Sequence, residues 1–185
     1  GHRYISIREY EKAIADLEKA AELIQGTENE IEPDGMPNAL NIPVSSLHGN
    51  IYYHLGLAYY LVGDYEKAYQ AYLKCRDSGS HYDNIVSSTH WLYMIQQRLG
   101  NPGKADSLLA PIHADSTVIE NQSYADLCQL YKGWIPVDSL IQQGPGGNPS
   151  NDAVRYGVAN WYLYNGDTAQ AKSMMESLLE TSSFS

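Results

Sequence analysis

Basic charge and cysteine are both scarce in this chain, and each shortage removes a class of function. Twelve Lys and Arg stand against 22 Asp and Glu, a formal net charge of −10. A field of that sign repels phosphate backbones and anionic lipid surfaces, so nucleic acid is not an expected partner. The two cysteines, Cys75 and Cys128, lie far apart and outside any C-x-x-C spacing. They give no sign of a disulfide framework or a zinc site, and they leave the compartment, cytoplasmic or exported, open. No stretch approaches the ~18 consecutive apolar residues that a membrane-spanning helix needs.

Catalytic signatures are missing as well. The histidines are His2, His48, His54, His81, His90 and His113, and none forms H-x-x-x-H or H-E-x-x-H, the helical spacings that put two imidazoles on one metal. There is no G-x-S-x-G elbow, no phosphate-binding loop of the G-x-x-x-x-G-K-[ST] kind and no G-x-G-x-x-G. Carboxylates gather at Glu28, Glu30, Glu32 and Asp34, but that stretch reads as a solvated loop. The expectation is a non-catalytic protein with no cofactor and no metal.

What the chain has in quantity is tyrosine: 16 Tyr and 3 Trp against a single Phe. Tyr buries a ring while keeping its hydroxyl near water or a partner. The densest pattern is Tyr52-x-x-Leu55-Gly56-x-x-Tyr59, then Gly63-Asp64-Tyr65, then Ala68-x-x-x-Tyr72. With Tyr standing for Trp and Phe, this resembles the tetratricopeptide repeat. The resemblance implies an all-α fold, in which antiparallel helix-turn-helix units stack into a short right-handed superhelix, because one such unit cannot bury its own apolar face.

The small residue of the pattern recurs. Ala13-x-x-x-Leu17 lies 55 residues before Ala68, Ala105-x-x-x-Leu109 lies 37 after it, and Ala171-x-x-x-Met175 a further 66 on. Each alanine follows a turn-like position by five residues: Arg8, Gly63, Gly100 and Gly166. Helical units are therefore expected at about 1–25, 49–79, 86–114 and 152–181, within a single domain, residues 1–185. The last gap is near twice the ~34-residue period, which places a degenerate unit at 121–143 with Asp138 in the alanine slot. A turn-rich insert at 26–48 separates the first two units, and Gly144 to Asn151 reads as a flexible connection. The first unit starts partway into the pattern and the last has no polar cap, so the natural protein is expected to extend beyond this stretch.

Local signals agree with helices. Asp64 and Asp167 are placed to cap helix N-termini, and Asn101-Pro102 sets a cap residue before Pro at the first helical position. Ile51, Leu55, Ala58, Tyr59 and Val62 form one apolar stripe, opposed across the turn by Ala68, Ala71, Tyr72 and Cys75.

In proteins similar to this one, the first helix of each unit lines a concave groove that holds a peptide or a partner's helix. Carried over position by position, the groove residues are Asn50, Tyr53, Leu57 and Tyr60, then His90, Met94, Gln97 and Arg98, then Tyr156, Asn160 and Tyr164. That surface is aromatic and amide-rich, with Arg98 its only cation. It departs from relatives that clamp a terminal carboxylate with several Lys or Arg. The expected role is a scaffolding module for a protein or peptide partner. The alternatives are a carbohydrate- or small-ligand-binding protein using the Tyr-rich groove, and an accessory segment of a larger enzyme.

Overall fold

A computed structural model of the protein describes residues 1–32, 38–79, 81–141 and 149–180, with 149–151 by backbone alone. Among these residues ten helices follow one another: α1 His2–Ser6, α2 Tyr10–Leu23, α3 Leu47–Val62, α4 Tyr65–Ser78, α5 Tyr82–Arg98, α6 Pro102–Leu108, α7 Gln122–Tyr131, α8 Asp138–Ile141, α9 Pro149–Tyr164 and α10 Thr168–Leu179. The only β pairing among them is an isolated antiparallel bridge between Ile31 and Ser46. Most of the segment read as a flexible connection, together with the turn at Pro33 to Gly35, lies outside the described residues.

The helices pack in consecutive pairs, α1 with α2, α3 with α4, α5 with α6 and α9 with α10. The same short turn closes each pair. Arg8, Gly63, Gly100, Gly133 and Gly166 all adopt left-handed φ values, between 62° and 85°. Each is followed by a residue whose N–H reaches back to a carbonyl five residues earlier: Glu9 to Tyr4, Asp64 to Tyr59, Asn101 to Gln96, Trp134 to Gln129 and Asp167 to Tyr162, all at 2.9–3.0 Å. This closure satisfies carbonyls that the helix end leaves orphaned, and glycine adopts it without steric cost. At Arg8 a side chain bears that strain. Asp64 and Asp167 then cap the next helix, accepting from Lys67 N and Gln170 N. Asn101 does not cap α6; its amide turns instead to Gln96 Oε1 at 3.1 Å.

Close packing rests on small residues at the contacts. Ala13, Ala68, Ala105 and Ala171 are all buried, so paired helices meet at their alanines. In the α7–α8 pair the equivalent slot is Asp138, which is exposed and opens a helix of only four residues. α8 stays a single turn, with Leu140 its buried residue. Glycine does a similar job twice more: a Cβ on Gly56 would lie 2.6 Å from the Tyr72 ring, and one on Gly157 2.5 Å from Leu127.

The segment between α2 and α3 folds back over the start of α3. Asn29 accepts from His48 N and donates to Ser46 Oγ and to the carbonyl of Ser78. Ser46 caps α3 through Gly49 N, and Val44 is buried. Farther along, the Asn38 amide donates to Glu120 in the loop before α7.

The glycine contacts give a direct test. Gly56→Ala should overpack the α3–α4 contact and cost about 1–3 kcal/mol in denaturant unfolding. Gly103→Ala, where an added Cβ meets nothing within 4 Å, should stabilise by about 0.5–1 kcal/mol.

Candidate functional site

The inner helices α3, α5, α7 and α9 touch in succession, and their facing sides meet along an aromatic seam. Trp91 of α5 stacks on Tyr72 at 5.7 Å between ring centres and takes the edge of Tyr60 at 5.1 Å. Its indole N–H donates to the Tyr53 hydroxyl at 3.1 Å, which lies 2.9 Å from the hydroxyl of Tyr124. His90 stacks between the rings of Tyr124 and Tyr131, and the Tyr131 hydroxyl bonds to its Nδ1 at 3.1 Å. Buried rings of this kind gain area and edge contacts at once, provided each hydroxyl finds a partner.

The expected groove positions thus divide into three groups. At the middle and toward the helix C-termini, several face one another. His90 is 1% exposed, while Met94 and Asn160 are fully buried. Tyr60 meets Tyr156 hydroxyl to hydroxyl at 3.2 Å. These positions are covered because α7 lies against α5 and α9 against α7, with Asn160 and Tyr164 of α9 reaching Arg98 and Met94 of α5. At the C-terminal opening Arg98 donates to Asn160 Oδ1 at 2.6 Å and lies over the Tyr164 ring, while Tyr164 reaches the Met94 carbonyl at 3.5 Å. Leu57, Gln97 and Tyr156 remain partly exposed. At the N-terminal opening Asn50 and Tyr53 face a cavity.

That cavity holds about 480 Å³. Asn50, Tyr53 and His54 of α3, Asn84 and Ser87 of α5, and Asn121 and Tyr124 at the start of α7 form its helical walls. Asn29, Val44, Ser45 and Ser46 close it from the α2–α3 segment. Its far wall is held by Asp83, which is 1% exposed. The carboxylate accepts the backbone N–H groups of Ile119, Glu120 and Asn121 at 2.7–3.2 Å, so it satisfies the orphaned donors leading into α7. His81 Nδ1 lies 3.0 Å from the same carboxylate.

Asp83, Asn29, Asn121, Glu120 and Tyr124 were not among the sequence-derived site residues. Asp83 carries a faint sequence signal, an acid in the first turn of a helix. The others come from the insert and the degenerate unit, where the repeat pattern supplies no register.

Reactive groups in this region are muted by burial. The Cys75 thiol, on the cavity wall, is pushed up to about 12 and stays protonated. Burial likewise lowers His90 to about 3, so it is a neutral ring in the seam. Among the described residues no group of three or more His, Cys, Asp or Glu is placed to hold a metal ion, and no helix is long and apolar enough to cross a membrane.

Consecutive helix pairs closed by one recurrent turn and joined at small residues define an α-solenoid. A tetratricopeptide-repeat family model matches residues 1–26 and 49–75, which supports reading those two helix pairs as tetratricopeptide repeats. No curated protein and no solved structure matches it significantly.

The depressed His90 has a signed consequence. The unfolded chain takes up a proton near pH 6.5 and the folded chain only near pH 3, so stability falls as pH drops through that window. The unfolding constant should rise by up to about tenfold per pH unit below ~6. Denaturant midpoints measured from pH 7 to 4 should show this slope reduced in His90→Gln; an unchanged slope would place the acid sensitivity elsewhere.

Proposed function

We propose that the protein is a non-catalytic interaction module that captures a segment of a partner protein at the N-terminal opening of its inner face. Tetratricopeptide repeats generally serve protein–protein interaction and scaffolding. The observation that carries the particular reading is the 480 Å³ cavity between α3, α5 and α7. The middle of the inner face is filled by the chain's own tyrosines, so a partner enters where the seam opens. Asn50 and Tyr53 belong to that opening, and Arg98, Gln97 and Tyr164 rim the opposite one.

The cavity suits part of an extended peptide rather than a whole helix. Its volume admits one or two side chains. Its walls mix amide and hydroxyl groups with the edges of Tyr53 and Tyr124, which supports peptide binding through backbone hydrogen bonds and ring contact. Sugar stacking draws no comparable support. The Tyr53 ring meets Tyr72 and His54 edge-on, and Tyr60 meets Tyr65 and Trp91, so these rings are engaged within the protein.

Ser45 offers a test that spares the helices, because it sits on the closing segment and lines the cavity. Peptides selected from a random display library against the full chain should bind it and lose at least about tenfold in affinity to Ser45→Trp, a factor worth ~1.4 kcal/mol. The thermal midpoint should change little. Retained affinity in the variant would remove the cavity as the binding site, and a library yielding no binder would count against the module itself.

A further inference from the structure

The hydrogen-bond inventory of the cavity leans toward acceptors. Four asparagines line it; Asn29 and Asn84 spend both N–H donors within the protein, and Asn50 and Asn121 spend one each. Asn29 donates to Ser46 Oγ and the Ser78 carbonyl, and Asn84 donates to the carbonyls of Cys75 and Arg76. Asn50 donates to the Glu32 carboxylate, and Asn121 to the carbonyl of Asp83. Asn50 and Asn121 each keep one N–H, and their side-chain oxygens have no hydrogen bond among the described residues.

Two further acceptors join them. His54 Nδ1 lies 2.8 Å from the Asn50 carbonyl, which only accepts, so Nδ1 carries the proton and Nε2 presents a lone pair. Glu120 uses one carboxylate oxygen for Asn38 and keeps the other. No Lys or Arg lines the cavity, while Asp83 and Glu120 both do. Hydroxyls such as Ser45 can serve in either direction. A ligand carboxylate or phosphate would face the Glu120 carboxylate with no Lys or Arg to offset it, whereas a group rich in N–H donors meets the unfilled oxygens.

We propose that this cavity receives a basic side chain, the guanidinium or ammonium of an Arg or Lys carried by the partner segment. The charged head would sit among Asn50, His54, Asn121 and Glu120. The methylene stem would lie along the edges of Tyr53 and Tyr124, as long basic side chains pack their stems on apolar surface. The chain's net charge of −10 favours the encounter. This assignment rests on the reading of the protein as an interaction module, and it selects among partners rather than repeating that reading.

The probes are N-acetyl-arginine methylamide, N-acetyl-lysine methylamide, agmatine, N-acetyl-norleucine methylamide and N-acetyl-glutamate methylamide, titrated into the full chain and followed by amide NMR. The two basic amino-acid probes should shift the resonances of Ser46, Asn50, Ser87 and Asn121 saturably, and the better of them should bind more tightly than agmatine. Glu120→Gln, an exposed change, should weaken that binding about fivefold with the thermal midpoint unchanged. The proposal is overturned if the norleucine or glutamate probe moves the same resonances as strongly, or if no cation moves them. Tighter binding of agmatine would also overturn it, by assigning the cavity to a free amine. Library-selected peptides that depend on the cavity yet lack Arg and Lys would end this assignment while leaving the interaction module standing.

Discussion

A helix buried around most of its circumference has to be wrapped, and α5 imposes that demand on the whole molecule. From Val86 to Gln96 every side chain of α5 is buried, polar and apolar alike. No single neighbour covers so much surface. α4 and α6 take the outer side, α3 and α7 flank it, and α9 closes over its C-terminal half. Trp91 and His90 are where the wrapping is tightest, and both give their polar atoms to tyrosine hydroxyls. Burial on this scale stabilises only if polar groups are met, because an unpaired buried donor or acceptor costs about 1–3 kcal/mol. Two groups are exceptions among the described residues: Tyr72 OH and Thr89 Oγ1 are buried without a hydrogen-bond partner.

This constraint changes what the concave face can do. In an open superhelix the first helices of successive units leave a continuous groove. Here the tyrosines that would line such a groove bond to one another, Tyr53 to Tyr124 and Tyr60 to Tyr156. Binding capacity is displaced to the ends of the inner helices. At one end lies Arg98, in the last turn of α5, where a cation complements the negative pole of the helix. At the other lies the acceptor-lined cavity, where Ser46 and Asp83 already satisfy the helix starts. The two openings therefore differ in charge as well as in place.

Much of the fold was legible in the sequence because its controlling contacts are local. A glycine in a left-handed turn, an aspartate after it and an alanine one turn further on are each fixed by backbone geometry within one unit. That is why Arg8, an unlikely turn residue by type, was still found by its spacing from Ala13. The site was less legible because it depends on how far each unit rotates against the next. Whether His90 faces solvent or Tyr131 is decided by α7, which belongs to the unit whose pattern has decayed around Asp138. Nor does periodicity indicate where an insert will fold, so Asn29 and Ser46 carried no signal as parts of a cavity wall.

Closure of the inner face by the chain itself is the claim on which the account turns, and ring-to-ring nuclear Overhauser effects measure it most directly. The structure requires cross-peaks between Tyr53 and Tyr124, and between Tyr60 and Tyr156, together with a Trp91 indole proton protected from solvent exchange. Absence of both cross-peaks with a freely exchanging Trp91 indole would show an open groove and contradict it.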